Sequence, residues 1–245
     1  MSTQDTVDKL TKWAFASLYA QQHPRDSGDK ADCAPQSPFI TISRQAGAGG
    51  RTLARRLAAQ LDALDPAEHP WTVWDRQLVE RVATEHDISQ ALVESLEGHR
   101  RHWWDALFAN WSDREHGAYL DDHQIYRRVA ATIHSLANAG RAIIVGRGGV
   151  FATADLPQGI HLRLVAPLES RVAHMAEELN VAPEAAAVEV RRRDHEREAF
   201  HRRYFAGKAI LPEAFTLTLN SAALSDHQMA SCILPLIAIH PAAKR

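Results

Sequence analysis

Residues 39–52 read Phe39-Ile40-Thr41-Ile42-Ser43-Arg44-Gln45-Ala46-Gly47-Ala48-Gly49-Gly50-Arg51-Thr52. The stretch opens with a short apolar run carrying β-branched residues, the pattern of a buried strand. A loop holding Gly47, Gly49 and Gly50 follows. Leu53, Leu57 and Leu61 then recur at i, i+4 and i+8, the stripe of one helix face. Strand, glycine loop and helix together make an anion cradle. Glycines let backbone N–H groups turn inward without a Cβ in the way, and the helix N-terminus adds roughly half a positive charge. The natural guest is a phosphate or pyrophosphate.

The loop fits the P-loop motif G-x-x-x-x-G-K-[ST] imperfectly, and in two registers. In one, Gln45 stands at the first glycine, Gly50 at the second, Arg51 at the lysine and Thr52 at the magnesium-binding hydroxyl. In the other, Arg44 stands at the first glycine, Gly49 at the second and Gly50 at the lysine. Neither supplies the lysine, so its charge must come from Arg51, Arg44 or elsewhere. A dinucleotide-binding module is a second reading: Gly47-x-Gly49-x-x-Thr52 is one residue short of G-x-G-x-x-G, and Asp75 lies where a ribose ligand would sit.

Outward from this stretch, strands and helices alternate. Trp71–Trp74 predicts a second strand, ending in Asp75-Arg76. Ala142–Val145 predicts a third, continuously apolar as a strand covered on both faces should be, and it runs into Gly146-Arg147-Gly148-Gly149. Ile160–Val165 is the fourth and Phe215–Leu219 the fifth, the last ending at Asn220-Ser221. Helices are expected at 77–86, at 121–138 before the Asn138-Ala139-Gly140 stop signal, from Pro167 through Glu178, from Pro183 to about Phe205, and at about 225–238. That order predicts an α/β fold with a doubly wound, five-stranded parallel sheet flanked by helices. Ligands of such sheets sit past the carboxyl ends of the strands, where Ser43-Arg44, Asp75-Arg76, Gly146-Arg147 and Asn220-Ser221 fall.

Residues 1–37 stand apart from residues 38–245. Val7, Leu10, Trp13, Ala14 and Leu18 mark an amphipathic helix over 6–22, a surface for a partner or for self-association. Pro24, Gly28 and Pro35 mark a linker. Residues 99–116 interleave His99, Arg100, Arg101, His102, Trp103, Trp104 and Trp111, either to stack a base or as a helix with its tryptophans in the core.

The 245 residues carry a net charge of −2, which gives no global field for a nucleic acid or an anionic membrane, so neither is expected as a partner. Cys33 and Cys232 match no metal spacing and fit a reducing compartment. With no run of about 18 apolar residues and no basic-then-apolar leader, the expected location is cytoplasmic. The fourteen histidines are scattered and read as surface or core residues.

Arginine is concentrated in Arg191-Arg192-Arg193-Asp194-His195-Glu196-Arg197 and again at Arg202-Arg203, with Arg171 on the preceding helix. Such a helix either pairs its charges locally with Glu189, Glu196 and Glu198, or closes as a lid over transferring phosphates.

Taken together, I-T-I-S-R-Q-x-G-x-G-G-R at 40–51, W-D-R at 74–76, I-I-V-G-R-G-G at 143–149, L-V-A-P-x-x-x-R at 164–171, R-D-x-x-R at 193–197 and L-T-L-N-S at 217–221 resemble the cytidylate kinase-like branch of the P-loop nucleoside monophosphate kinases, over about residues 38–240. The resemblance implies a P-loop kinase fold with helical NMP-binding and lid regions, and transfer of the ATP γ-phosphate to CMP or dCMP with Mg²⁺. It implies that Gly47, Gly49, Gly50, Arg51 and Thr52 hold the donor phosphates, to which the reading of the loop adds Arg44, and that Thr52 binds the metal. Asp75 and Arg76 would lie at the acceptor and Arg147 on its phosphate. Arg193 and Arg197 would be lid arginines, Asp194 would orient one of them, and Arg171 would sit beside the nucleotide. On this basis Arg51, Arg147, Arg193 and Arg197 are the expected catalytic set. The chain departs from cytidylate kinases at the missing loop lysine, and at Gly146-Arg147-Gly148, where they have G-R-D. A nucleotide sensor that keeps the fold without turnover is the alternative these departures raise.

Overall fold

The computed structural model describes residues 37–67, 69–77, 79, 107, 120–205 and 208–239. The expected N-terminal helix and linker, most of the helix expected at 77–86 and the basic–aromatic stretch at 99–116 lie outside these residues.

A parallel sheet of five strands forms the centre, in the order β2-β3-β1-β4-β5. Its strands are β1 (Phe39–Arg44), β2 (Thr72–Trp74), β3 (Ala142–Val145), β4 (Gly159–Val165) and β5 (Leu217–Asn220). Six helices accompany it among the described residues: α1 (Gly50–Leu64), α2 (Leu120–Ala139), α3 (Gly149–Ala152), α4 (Leu168–Leu179), α5 (Pro183–Tyr204) and α6 (Asp226–Ile239). No helix among the described residues is long and apolar enough to cross a membrane.

Alternation along the strands separates two cores, because successive side chains point to opposite faces. Ile40 and Ile42 face the leucine stripe of α1 and Met229, Ile233 and Ile237 of α6. Phe39 and Ile144 face Tyr126, Val129 and Ile133 of α2, together with Phe205 beyond α5. A third, smaller cluster joins Ala46 of the glycine loop to Met175 of α4 and to Ala186 and Val190 of α5. Pro183 at N1 starts α5, and Asn180 in the left-handed region ends α4, so the two helices fold back as a hairpin beneath the loop.

Element boundaries shift by a residue or two from the sequence expectation. β5 starts at Leu217 because a 3₁₀ turn at Pro212–Ala214 holds Phe215, whose N–H donates to the Pro212 carbonyl. Pro167 caps α4 from an extended conformation instead of lying inside it.

From β1 the chain runs to β2 and returns to β3 on one side, then crosses to β4 and β5 on the other. The connections leaving the neighbours β1 and β3 therefore diverge and open a crevice at their carboxyl ends, where Arg44 and Gly146 stand. This is the switch point at which doubly wound sheets take their ligands.

Leu57 is fully buried between α1 and the sheet. Leu57→Ala is expected to lower stability by about 2–5 kcal/mol, read as a reduced midpoint in urea denaturation.

Candidate functional site

The glycine loop is pinned at its first two residues and open at the rest. Gln45 N–H donates to the Leu164 carbonyl at 3.1 Å, and Gln45 Oε1 accepts from Ala166 N–H at 3.0 Å. Ala46 N–H donates to Asp194 Oδ1 at 2.7 Å, and the Ala46 carbonyl accepts from Arg171 Nη1 at 3.2 Å. Gly47 follows at φ +77, and a Cβ there would lie 2.2 Å from the Arg171 carbonyl oxygen, so only glycine lets the loop pass over α4. Gly49 caps α1 in the left-handed region, with no side chain on the helix end and no acidic residue in the first turn. The first turn of α1 thus carries no carboxylate of its own to neutralise the helix end.

A cavity of about 440 Å³ occupies that crevice. Gly47, Gly49, Gly50 and Thr52 form one wall, Asp75 and Arg76 another, and Arg147 comes from the turn after β3. Arg193 and Arg197 enter from α5, while Arg44 and Arg51 line the floor and rim. Among the described residues, counting Arg76 and Arg192, seven arginines line it against three carboxylates, Asp75, Glu178 and Glu196. A chain of net charge −2 has therefore gathered a local cationic excess in one hollow beside the glycines.

Burial above all, then the charges of Arg197, Arg51 and Arg147, pushes the Arg44 guanidinium down to about 9. Burial also lowers Arg197, with Asp194 opposing the shift. Cations crowded together in this way are relieved by an anion, and a polyphosphate supplies several charges at once.

Each arginine is aimed by its own neighbours. Arg51 Nη2 lies 3.0 Å from Asp75 Oδ2. Arg147 sits at φ +54 in a turn between two glycines, a conformation that costs a non-glycine residue about 1–3 kcal/mol. Its guanidinium is over the Phe200 ring at 5.1 Å, and its carbonyl accepts from Tyr126 Oη. Arg193 Nε donates to Glu189, and Arg197 Nη1 to Asp194 Oδ1 at 3.2 Å.

The arginine helix pairs some of its charges locally and turns others to the cavity, and Arg192 does both. Arg192 pairs with Glu189 and Glu196, and Arg202 with Glu198, as local pairing expects. Arg193 and Arg197, four residues apart, line the cavity.

Two of the expected substrate residues stand elsewhere. Arg171 and Asp194 do not line the cavity; they lie behind the loop. Arg171 is buried, with Nη1 2.5 Å from Asp194 Oδ2 and Nε donating to the Ala166 carbonyl. It therefore braces the loop from beneath. Asp194 touches Arg197 and also holds the loop itself. Phe200 and His174 line the cavity although neither is among the expected residues. Phe200 could have been found from its place three residues after Arg197 on the same helix face. A second hollow, of about 210 Å³, opens across Gly47–Gly49 toward Ser170, Ser221 and Asp226.

Residues 39–223 match the model of the cytidylate kinase-like family. A crystal structure of an uncharacterized protein from Eubacterium ventriosum ATCC 27560 shares the fold, with a TM-score of 0.60 at 19% identity over 82% of this chain and 98% of that chain. A shikimate kinase from Acinetobacter baumannii in complex with shikimate aligns over 83% of this chain and 94% of that one, at 17% identity and a TM-score of 0.39. No curated protein matches the chain.

Asp194→Asn is expected to cost about 2 kcal/mol or more, because it leaves the buried Arg171 guanidinium without its counter-charge. Chemical denaturation measures this, and adding Arg171→Met should recover part of the loss. Hydrogen bonds from Arg192 and Arg193 hold the Glu189 carboxyl down to about 2, from an ordinary 4.5. A carboxylate lowered in this way stabilises the fold above its ordinary value and loses that contribution as pH falls. The stability advantage of wild type over Glu189→Gln is expected to shrink between pH 4.5 and pH 2 in thermal melts.

Proposed function

The chain belongs to the cytidylate kinase-like family, and from that premise we propose that it moves the γ-phosphate of ATP to a nucleoside monophosphate of the CMP or dCMP kind. The observation that carries this reading is the convergence of Arg51, Arg147, Arg193 and Arg197 on one cavity beside the glycine loop. Phosphoryl transfer asks a protein chiefly for positioning and for cations around the transferring group. This cavity offers both.

In this reading the N-terminus of α1 and the loop glycines hold the donor phosphates. Arg193 and Arg197 reach from α5 to the transferring group. Arg147, steadied on Phe200, holds the acceptor phosphate in line, with Asp75 and Arg76 at the acceptor wall. No covalent protein intermediate is required. The acceptor phosphate oxygen attacks the γ-phosphorus, and the bond to the leaving β-phosphate oxygen breaks. The Thr52 hydroxyl and the Asp75 carboxylate face the same cavity and are oxygen donors of the kind Mg²⁺ accepts, so these residues would hold the ion. Bound there with the triphosphate, Mg²⁺ supplies charge neutralisation.

The dinucleotide alternative is weakened because it leaves Arg193 and Arg197, which line the same cavity, without a role. The missing loop lysine favours the sensor alternative, in which nucleotide binds without turnover. Phosphate transfer from ATP–Mg²⁺ to CMP, dCMP, UMP and AMP separates the readings. Turnover with a pyrimidine monophosphate is the expected result, and Arg147→Ala should reduce kcat/KM on the order of a hundredfold. Nucleotide binding with no transfer to any acceptor would replace the kinase with the sensor.

A further inference from the structure

We propose that Arg44 supplies the loop cation from the end of β1, and that position 50 is glycine because the Arg44 side chain fills the space a lysine there would take. The P-loop motif places glycine at the start of the loop and lysine at its end. In the register that puts Arg44 at the first glycine, Gly50 falls at the lysine. The cation and the glycine have changed ends.

The course of the Arg44 side chain supports the exchange. A Cβ added at Gly50 would lie 3.1 Å from Arg44 Cγ and 3.4 Å from Cδ, so the stem crosses the first residue of α1. A Cβ added at Gly146 would lie 1.9 Å from Arg44 Nη1 and 2.9 Å from Cζ, so the guanidinium ends against the turn that follows β3. A side chain at either position would press on Arg44, and Gly146 is favoured as glycine by its φ of +85 as well. The stem thus starts at β1, passes over the helix end and delivers its charge into the crevice between β1 and β3, beside Arg147.

Arg51, the other replacement the sequence offers, is less suited. Both line the cavity, but Arg51 is half exposed and engaged with Asp75 at 3.0 Å, whereas Arg44 is partly buried and packed against Gly50 and Gly146. A guanidinium is larger than an ammonium and planar, so it needs a longer approach and cleared walls. Starting six positions earlier, and with glycine at 50 and 146, Arg44 has both.

This assignment rests on the phosphate-binding reading above and names the residue that takes the lysine's part. The test is equilibrium binding of ATP–Mg²⁺ and of inorganic tripolyphosphate to the full chain by calorimetry, with thermal melts to verify folding. Arg44→Met keeps the stem and removes the charge. It is expected to weaken both ligands by a similar factor, about 10- to 100-fold, the range for a lost charge-assisted hydrogen bond. Arg51→Ala should weaken them less. Gly50→Lys alone should be destabilised by collision with Arg44. The exchange variant Arg44→Gly with Gly50→Lys should bind ATP at least tenfold more tightly than Arg44→Gly alone, because the lysine then has the vacated space.

Wild-type affinity in Arg44→Met would overturn the assignment while leaving the phosphate-binding reading intact. So would a loss confined to ATP and absent with tripolyphosphate, or a larger loss in Arg51→Ala. If wild type binds neither ligand, the phosphate-binding reading fails and this assignment fails with it. Should the exchange variant not fold, the comparison of Arg44→Met with Arg51→Ala decides.

Discussion

The Asp194 carboxylate is where the site is held together. One oxygen accepts the Ala46 N–H and reaches Arg197; the other accepts Arg171. Three parts of the chain meet there: the loop after β1, helix α4 and helix α5. A glycine loop pays for its freedom with backbone entropy, and some contact must restore a single conformation. Asp194 does so by fixing the residue just before the first loop glycine, while Arg171 holds the carbonyl of the same residue. Because the carboxylate also touches Arg197, the aim of that cavity arginine and the shape of the phosphate cradle depend on one group.

The same contact explains why α5 can carry so many arginines. Local carboxylates offset part of its charge, Glu189 and Glu196 at Arg192, Glu189 at Arg193 and Glu198 at Arg202, so the cavity meets only the remainder as cationic excess. In the cavity the guanidiniums crowd one another, and burial works against them. The excess persists because packing leaves the side chains no alternative. Arg44 is enclosed between Gly50 and Gly146, and Arg147 is fixed in a left-handed turn. This unfavourable electrostatics in the free protein is what the proposed phosphate ligand would relieve.

Much of this architecture was legible from residues alone. The leucine stripe of α1, the continuously apolar β3 and the Pro183 start of α5 are local signals, and local signals suffice for regular elements. The cavity residues were legible because glycines and arginines recur at strand ends, where a doubly wound sheet must place its ligand. Arg171 was not legible as a brace. It sits on a helix of mixed charge, and its inward direction is set by the packing of α4 and α5 beneath the loop, through Met175 and Val190. The Asp194 contact to Ala46 was hidden for the same reason: the two residues are 148 apart in sequence, and no local pattern encodes such a pair.

The aromatic cluster between α2 and the end of α5 adds the last link. Tyr126 stacks on Tyr204 and meets Phe200 and Phe205 edge-on, while its hydroxyl donates to the Arg147 carbonyl. Phe200 in turn carries the Arg147 guanidinium on its face. Arg147 arises from the sheet, yet both its backbone and its side chain are gripped by residues that belong to α2 and α5. Any displacement of α5 that moved Arg193 or Arg197 would also draw Phe200 from under Arg147. The arginine assigned to the acceptor and those assigned to the transferring group are therefore mechanically joined, through aromatic contacts on one side of the crevice and through Asp194 on the other. A site built this way presents its cations as a set.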